Sequence, residues 1–390
     1  MLFSVNSVSL WQIKKVGETM RYFVLLLLLI LYAGALYGQE ENDPFKRLDD
    51  KFEELSEQQD QNFQDYINRQ DAKYKAWVAR IEAKWNSFED SDKKTWVDYS
   101  DDLDGKNRVD YDNGTLSIQI IQPADDPDAQ QKARRQALNQ FQKLFAPNPN
   151  TGQVPLKNQI AFDDDGSQPV SSQNAGNFFN QKLGGQFKPV GTFMSNDGIR
   201  RIKYRVDVPF VKNHVVRRAQ EFLPLVVKNC ERFRLNPRLV LALIYTESAF
   251  NPQAKSYADA YGLMQLIPRY GARDAYRFLF NQDKMVEPDY LYDPANNIEM
   301  GCAYFHILFY KEWDVENHQD KRRDLSICSY NWGPHNVRKK IYKRFDGDKI
   351  SYDELYTLLT SRTPEETQHY LQRILSRLEY FDVFFEDHSN

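Results

Sequence analysis

Three cysteines in 390 residues, Cys230, Cys302 and Cys328, are too few and of the wrong parity for a disulfide-stapled scaffold, and none precedes Cys230. Glycine and proline, 17 of each, are too sparse for a collagen-like or broadly disordered chain. Positive charge is not in surplus: 51 Lys and Arg against 55 Asp and Glu leave a net charge of −4. That excludes a protein whose main business is gripping nucleic-acid phosphates, so no nucleic-acid partner is expected. The six histidines are scattered, and His306, His335 and His369 read as surface or packing residues. There is no Gly-x-Ser-x-Gly elbow, no His-Glu-x-x-His, no Cys-x-x-Cys and no phosphate-cradling glycine loop. Neither a cofactor nor a metal is therefore expected.

What is present is a globular composition, 41% hydrophobic and 14% aromatic, in a chain long enough for two or three packed units at roughly 150 residues each. Met20-Arg21, the apolar run Tyr22 to Tyr32 and the small residues Ala33-Gly34-Ala35 have the layout of a secretory signal peptide, placed at 1–38, with Met20 a candidate start. An uncleaved membrane anchor is the other reading, although the run is short of the ~20 residues that a span needs. Either way the bulk of the chain is expected outside the cytoplasm, in the periplasm. No cysteine follows the run, so a lipid-modified N-terminus is not available.

Residues 39–95 read as a polar amphipathic helical segment. Phe45, Leu48, Phe52 and Leu55, then Tyr74, Trp77, Ile81 and Phe88, recur at spacings of three and four, and a packing helix is favoured over a coiled coil. Residues 96–210 read as a small α+β domain. Arg108 to Tyr111 and Thr115 to Ile121 form a hairpin about Asp112-Asn113-Gly114, a helix runs from Asp126 to Phe145, and Arg201 to Pro209 alternates with Ile202, Tyr204, Val206 and Val208 on one face. The opposite face, Arg201, Lys203 and Arg205, reads as solvated. Residues 211–390 read as mainly α, with Cys230 and Cys302 as small core residues and Pro224 kinking its helix. The fold class expected is thus α+β, and residues 39–210 are the place to look for cell-envelope protein partners.

Asn236-Pro237 is an N-cap with proline at the first helical position, and it opens a helix whose apolar positions Val240, Leu243 and Ile244 stand above Glu247. A carboxylate on that face must be paired or functional. Burial and the negative end of the helix both raise its pKa, toward the protonated state that a general acid needs at neutral pH.

Glu247-Ser248-Ala249-Phe250-Asn251-Pro252, Gly262-Leu263-Met264-Gln265-Leu266-Ile267-Pro268 and Ser329-Tyr330-Asn331-Trp332-Gly333 together resemble, in order and spacing, the lytic transglycosylase domain of the soluble-lytic-transglycosylase type. Tyr290 to Ile298 and Glu366 to Leu371 continue the resemblance, and Asp110 to Ile118 resembles a strand pair of membrane-bound members, so that it covers roughly residues 90–380. The resemblance implies a lysozyme-like helical fold and an enzyme that cleaves the MurNAc-β-1,4-GlcNAc bond of peptidoglycan glycan strands to leave 1,6-anhydro ends. It implies Glu247 as the single acid/base, with Ser256, Met264, Gln265, Tyr330 and Asn331 lining the sugar subsites and Glu366 and Tyr370 closing the cleft. Tyr330 is then expected to orient Glu247 or the substrate's N-acetyl group, and Gly262 to let backbone approach substrate. Each has a plainer reading: Met264 as core filler, Tyr330 as a packing aromatic, Glu366 as part of a capping box begun by Thr363. A hydrolytic muramidase would need a second carboxylate, for which Asp259 and Glu366 are the candidates. A catalytically silent wall-binding module is the remaining alternative. The chain departs from the family in lacking the lipoprotein cysteine and in carrying Ser329 where alanine is common.

Overall fold

The computed structural model describes residues 71–148 and 152–385, together with Lys51, Glu54 and Gln61. The signal-like run and the first part of the stripe expected over 45–88, Phe45, Leu48, Phe52 and Leu55, lie outside the described residues. The described residues divide into two units, one ending at Asn86 and the other beginning at Ser87. In the first, residues 71–85 are helical.

The second unit opens with an antiparallel sheet of strands β1 (Thr95–Tyr99), β2 (Gly105–Asp110), β3 (Thr115–Pro123), β4 (Lys188–Met194) and β5 (Arg200–Pro209), ordered β1-β2-β3-β5-β4. The β2–β3 hairpin turns where its chemistry expects: Asp110 accepts from the Asn113 backbone and side-chain amides, and Gly114 takes a φ of +66°. Helix α1 (Ala129–Lys143) lays Ala133, Ala137 and Phe141 on the sheet beneath Leu116, Ile118, Tyr204, Val206 and Val208, and these make one core. The period-two alternation of β5 thus holds on its apolar side. On its other side Arg201 is buried and grips Asp197 through two hydrogen bonds of 2.6 and 2.8 Å, instead of being solvated. The bidentate pairing, made across the β4–β5 turn, compensates the burial.

A short helix α2 (Ala175–Phe178) precedes β4, and after β5 the chain is mainly helical: α3 (His214–Phe233), α4 (Pro237–Ser248), α5 (Gly271–Phe280), α6 (Pro288–Tyr292), α7 (Pro294–Ile307), α8 (Gln319–Trp332), α9 (Pro334–Val337), α10 (Tyr352–Arg362) and α11 (Glu365–Ser376). Helix α3 continues through Pro224 as one element and buries Val215, Ala219, Val226, Cys230 and Phe233 along the expected stripe. The Cys230 and Cys302 thiols are free and buried inside this second core. The box expected at Thr363 does not form: that hydroxyl donates to the Leu359 carbonyl at 2.7 Å, and Pro364 is the N-cap of α11. A complete capping box stands instead at the head of α10, where Ser351 and Glu354 satisfy each other's backbone amides.

The two cores meet at the end of α4. Ala249 belongs to the sheet's core and Phe250, the next residue, to the helical one. Arg218 of α3 pins the junction. Its guanidinium donates to the carbonyls of Ala249 (3.0 Å) and Tyr111 (2.6 Å) and to Gln159 Oε1 (2.8 Å). Burial lowers its pKa to about 10, so it stays cationic at neutral pH. His214 Nδ1, 3.0 Å away, must accept from it, and burial together with that charge depresses the His214 pKa to about 4. Removing the guanidinium strands three buried acceptors. Arg218→Leu is expected to cost about 3 kcal/mol or more, measured by urea unfolding; a loss below about 1 kcal/mol would show that the junction holds without it.

Candidate active site

Helix α4 starts as its sequence dictates: Asn236 Oδ1 accepts from the Arg238 amide at 2.9 Å and Pro237 occupies the first turn. The helix is not amphipathic, however. Leu239, Val240, Leu241, Ala242, Leu243 and Ile244 are all buried, so it is the central helix of its core rather than one with a single apolar face. Its polar residues gather in the last turn. Thr246 and Ser248 return their hydroxyls to the carbonyls of Ala242 and Ile244, and Ser248 also reaches the Leu263 carbonyl. Glu247 has no such backbone outlet and is 6% exposed. Beyond it Ala249 and Phe250 take φ values of +50° and +61°, two consecutive left-handed residues with side chains, a strain of order 1–3 kcal/mol each that the packing of both cores must hold.

Three groups meet Glu247. Tyr370, from α11, donates its hydroxyl to Oε1 at 2.6 Å. Lys93, in the turn before β1, places Nζ 3.6 Å from Oε2 with its side chain 39% exposed. Glu366, exposed on the first turn of α11, adds a weak like-charge repulsion. Burial raises the Glu247 pKa, Lys93 and the Tyr370 hydrogen bond hold it partly down, and the net direction is up. Burial beside this carboxylate pushes the Tyr370 and Tyr330 hydroxyls well above the ordinary phenol range, so both remain donors.

The loop from Ala254 to Leu266 forms one wall. Asn297 of α7, fully buried, ties it down by accepting from the Met264 amide and donating to the carbonyls of Tyr261 and Leu291. Gly262, at φ +75°, is required here: an added Cβ would lie 2.2 Å from the Leu291 carbonyl and 2.3 Å from Asn297. The close approach expected of this glycine is therefore to the protein's own backbone. Gln265, at φ +48°, spends its amide on the carbonyls of Ala254 and Gly262, leaving Oε1 buried without a protein partner; Asn251 Nδ2 is in the same state. Ser256 Oγ accepts from the amides of Ala258 and Ala260 and shapes the loop.

The residues singled out in the sequence separate accordingly. Tyr370 donates to Glu247, whereas Tyr330 donates to the Met264 carbonyl at 2.8 Å, so the hydroxyl that contacts the carboxyl is that of Tyr370. Asn331 is partly exposed and accepts from Thr367 of α11 at 2.7 Å. Met264 is fully buried, with its side chain against Gly301, and is a packing residue of the wall. Asp259 is exposed beside the Tyr261 hydroxyl. Lys93 carried no sequence signal: it lies in a polar stretch far along the chain from Glu247, and only the fold brings the two together.

Removing either partner that stabilises the charged carboxylate must raise its pKa further. Lys93→Ala and Tyr370→Phe are each expected to move the Glu247 titration, followed by carboxyl carbon NMR, to higher pH. A downward shift in either would contradict the geometry.

Comparison with known proteins adds the following. The family model for the transglycosylase SLT domain matches residues 224–352. Membrane-bound lytic murein transglycosylase C of Histophilus somni (strain 2336) is 30% identical over 295 residues, 72% of this chain and 78% of that protein. The protein of the same description from Haemophilus influenzae (strain PittEE) is 29% identical over 313 residues, 75% of this chain and 82% of its own. Among solved structures, the 70 kDa soluble lytic transglycosylase SLT70 from Escherichia coli is 27% identical over 42% of this chain and 24% of that chain, with a TM-score of 0.36.

Proposed function

The chain belongs to the lytic murein transglycosylases and is an enzyme acting on peptidoglycan, and from that premise we propose that Glu247 alone supplies both proton transfers of glycan-strand cleavage. What carries this reading is a desolvated carboxyl with a raised pKa, held at 2.6 Å by a phenol. Glu366, the carboxylate whose charge reaches it, is exposed on α11 and shares no hydrogen bond with it. A glycosidase that activates water through a second carboxylate, or uses one as nucleophile, places the two roughly 5–9.5 Å apart for that purpose.

In the proposed sequence, protonated Glu247 gives its proton to the oxygen linking MurNAc C1 to GlcNAc. The C1–O bond breaks and the MurNAc N-acetyl oxygen supports the anomeric carbon. Glu247, now a carboxylate, accepts the proton of the same MurNAc's C6 hydroxyl while O6 bonds to C1, which leaves a 1,6-anhydro end and returns the acid to its starting state. Tyr370 fixes the carboxyl in both halves. Lys93 is cationic and within reach, so it favours the carboxylate that performs the second half. Gln265 and Asn331 are the polar groups we assign to the sugars' hydroxyl and N-acetyl groups, with Ser256 shaping the loop that carries Gln265. Glu366 and Tyr370 then bound the cleft on the α11 side.

We also assign 96–210 and 211–390 as the supporting and catalytic domains, and 1–38 as the export signal that places them in the periplasm. No helix among the described residues is long and apolar enough to cross a membrane.

Glu247→Gln is expected to lower turnover by about 10²–10⁴-fold while leaving wall binding and the fold intact. In the wild type, kcat/KM should fall as pH rises through the Glu247 pKa, since the acid form starts the reaction. Mass spectrometry of soluble products from purified peptidoglycan decides the chemistry. Anhydro-muropeptides are expected; products ~18 Da heavier would mean hydrolysis and a second carboxylate, and no products would leave a wall-binding module.

A further inference from the structure

Beyond Tyr330 and Asn331, helix α8 ends at Trp332, and the indole forms one wall of a cavity of about 310 Å3. Its other walls are Lys340, Arg344, Phe345, Arg362 and the turn at Pro364. Lys340 Nζ stands 4.9 Å from the Trp332 ring centroid and the Arg344 guanidinium 5.6 Å from that of Phe345. Three cations thus line one concave surface and no acidic residue does.

Several arginines of the helical part are paired with carboxylates: Arg338 with Glu312, Arg323 with Asp320 and Asp324, Arg273 and Arg277 with Asp283. Among the described residues Lys340, Arg344 and Arg362 have no ion-pair partner. Like charges gathered in a hollow repel one another, and a bound anion removes that repulsion; guanidinium groups match a carboxylate in particular.

The cavity adjoins the site. Pro364 is the N-cap of α11, Tyr370 lies less than two turns further along that helix, a rise of roughly 9 Å, and Thr367 between them holds Asn331. A glycan seated at Glu247 could send a side branch there. In peptidoglycan the branch on muramic acid is a peptide stem, and its carboxylates are the anions that the substrate offers.

We propose that this cavity receives a carboxylate of the peptide stem borne by the muramic acid next to the cleaved bond. The proposal rests on the peptidoglycan reading of Glu247 and extends it to the part of the substrate that is not sugar. It makes the enzyme discriminate between stem-bearing glycan and glycan stripped of its stems.

The test compares kcat/KM on the two substrates for the full chain, for Arg344→Ala/Arg362→Ala and for Arg344→Lys/Arg362→Lys, with calorimetric binding of a free stem tripeptide alongside. The wild type is expected to prefer stem-bearing glycan. The alanine pair should reduce that preference about tenfold, mainly through KM, and weaken tripeptide binding by a similar factor, while the lysine pair restores part of both. An unchanged preference, or equal losses on both substrates with an unchanged melting temperature, would overturn the proposal. If the wild type cleaves neither substrate, the glycan-cleaving reading fails by itself, and tripeptide binding that the alanine pair abolishes would still identify the cavity as a carboxylate receptor.

Discussion

A carboxyl group at the end of a helix that is apolar all round is the constraint on which the site depends. Glu247 is almost wholly desolvated, so its charged form is costly, and its carboxyl is oriented by the hydroxyl of Tyr370. One more strong donor would hold the group ionised, and one fewer would leave it without orientation. The fold meets the condition by drawing on three separate segments: the turn before β1 for Lys93, the last turn of α4 for the acid, and the middle of α11 for the phenol. Lys93 remains partly in solvent, which screens its charge and tempers its effect.

The surrounding wall follows a similar economy. Asn297 uses both ends of its amide on the backbone of the Ala254 to Leu266 loop and its neighbour, so the loop's shape is set by a buried side chain of another helix. The atoms left over, Gln265 Oε1 and Asn251 Nδ2, are hydrogen-bonding capacity in a region otherwise fully committed. Left-handed backbone at Ala249, Phe250 and Gln265 clusters in the same place, where tight turns must fit against packed cores.

Local chemistry made much of this legible in the sequence. The Asn236-Pro237 start of α4, the Asp110 to Gly114 turn and the alternation of Tyr204, Val206 and Val208 are governed by neighbours in the chain, and the structure has them where the pattern puts them. Glu247 was visible as an acid among apolar residues, although the pattern suggested one buried face and the helix is buried around its whole girth. Features that depend on distant partners were not legible. The Arg201–Asp197 pair, the Lys93 approach and the choice of Tyr370 over Tyr330 each require knowing what packs against what. At Thr363 two local options competed, and the carbonyl of Leu359 took the hydroxyl that a capping box needs.

The Arg218 junction bears on whether the helical half is portable. Two of its acceptors, the Tyr111 carbonyl and Gln159, belong to the sheet's half of the chain, and the third, Ala249, buries its methyl in the sheet's core immediately after the helix that carries the acid. Lys93 and Tyr370 both lie outside the stretch 224–352 that defines the domain in sequence. Grafting that stretch onto another scaffold would transplant the acid without its phenol, its cation or the clamp on its helix. In this chain the surroundings of Glu247 draw on both cores, and they reach beyond the stretch that carries the signature.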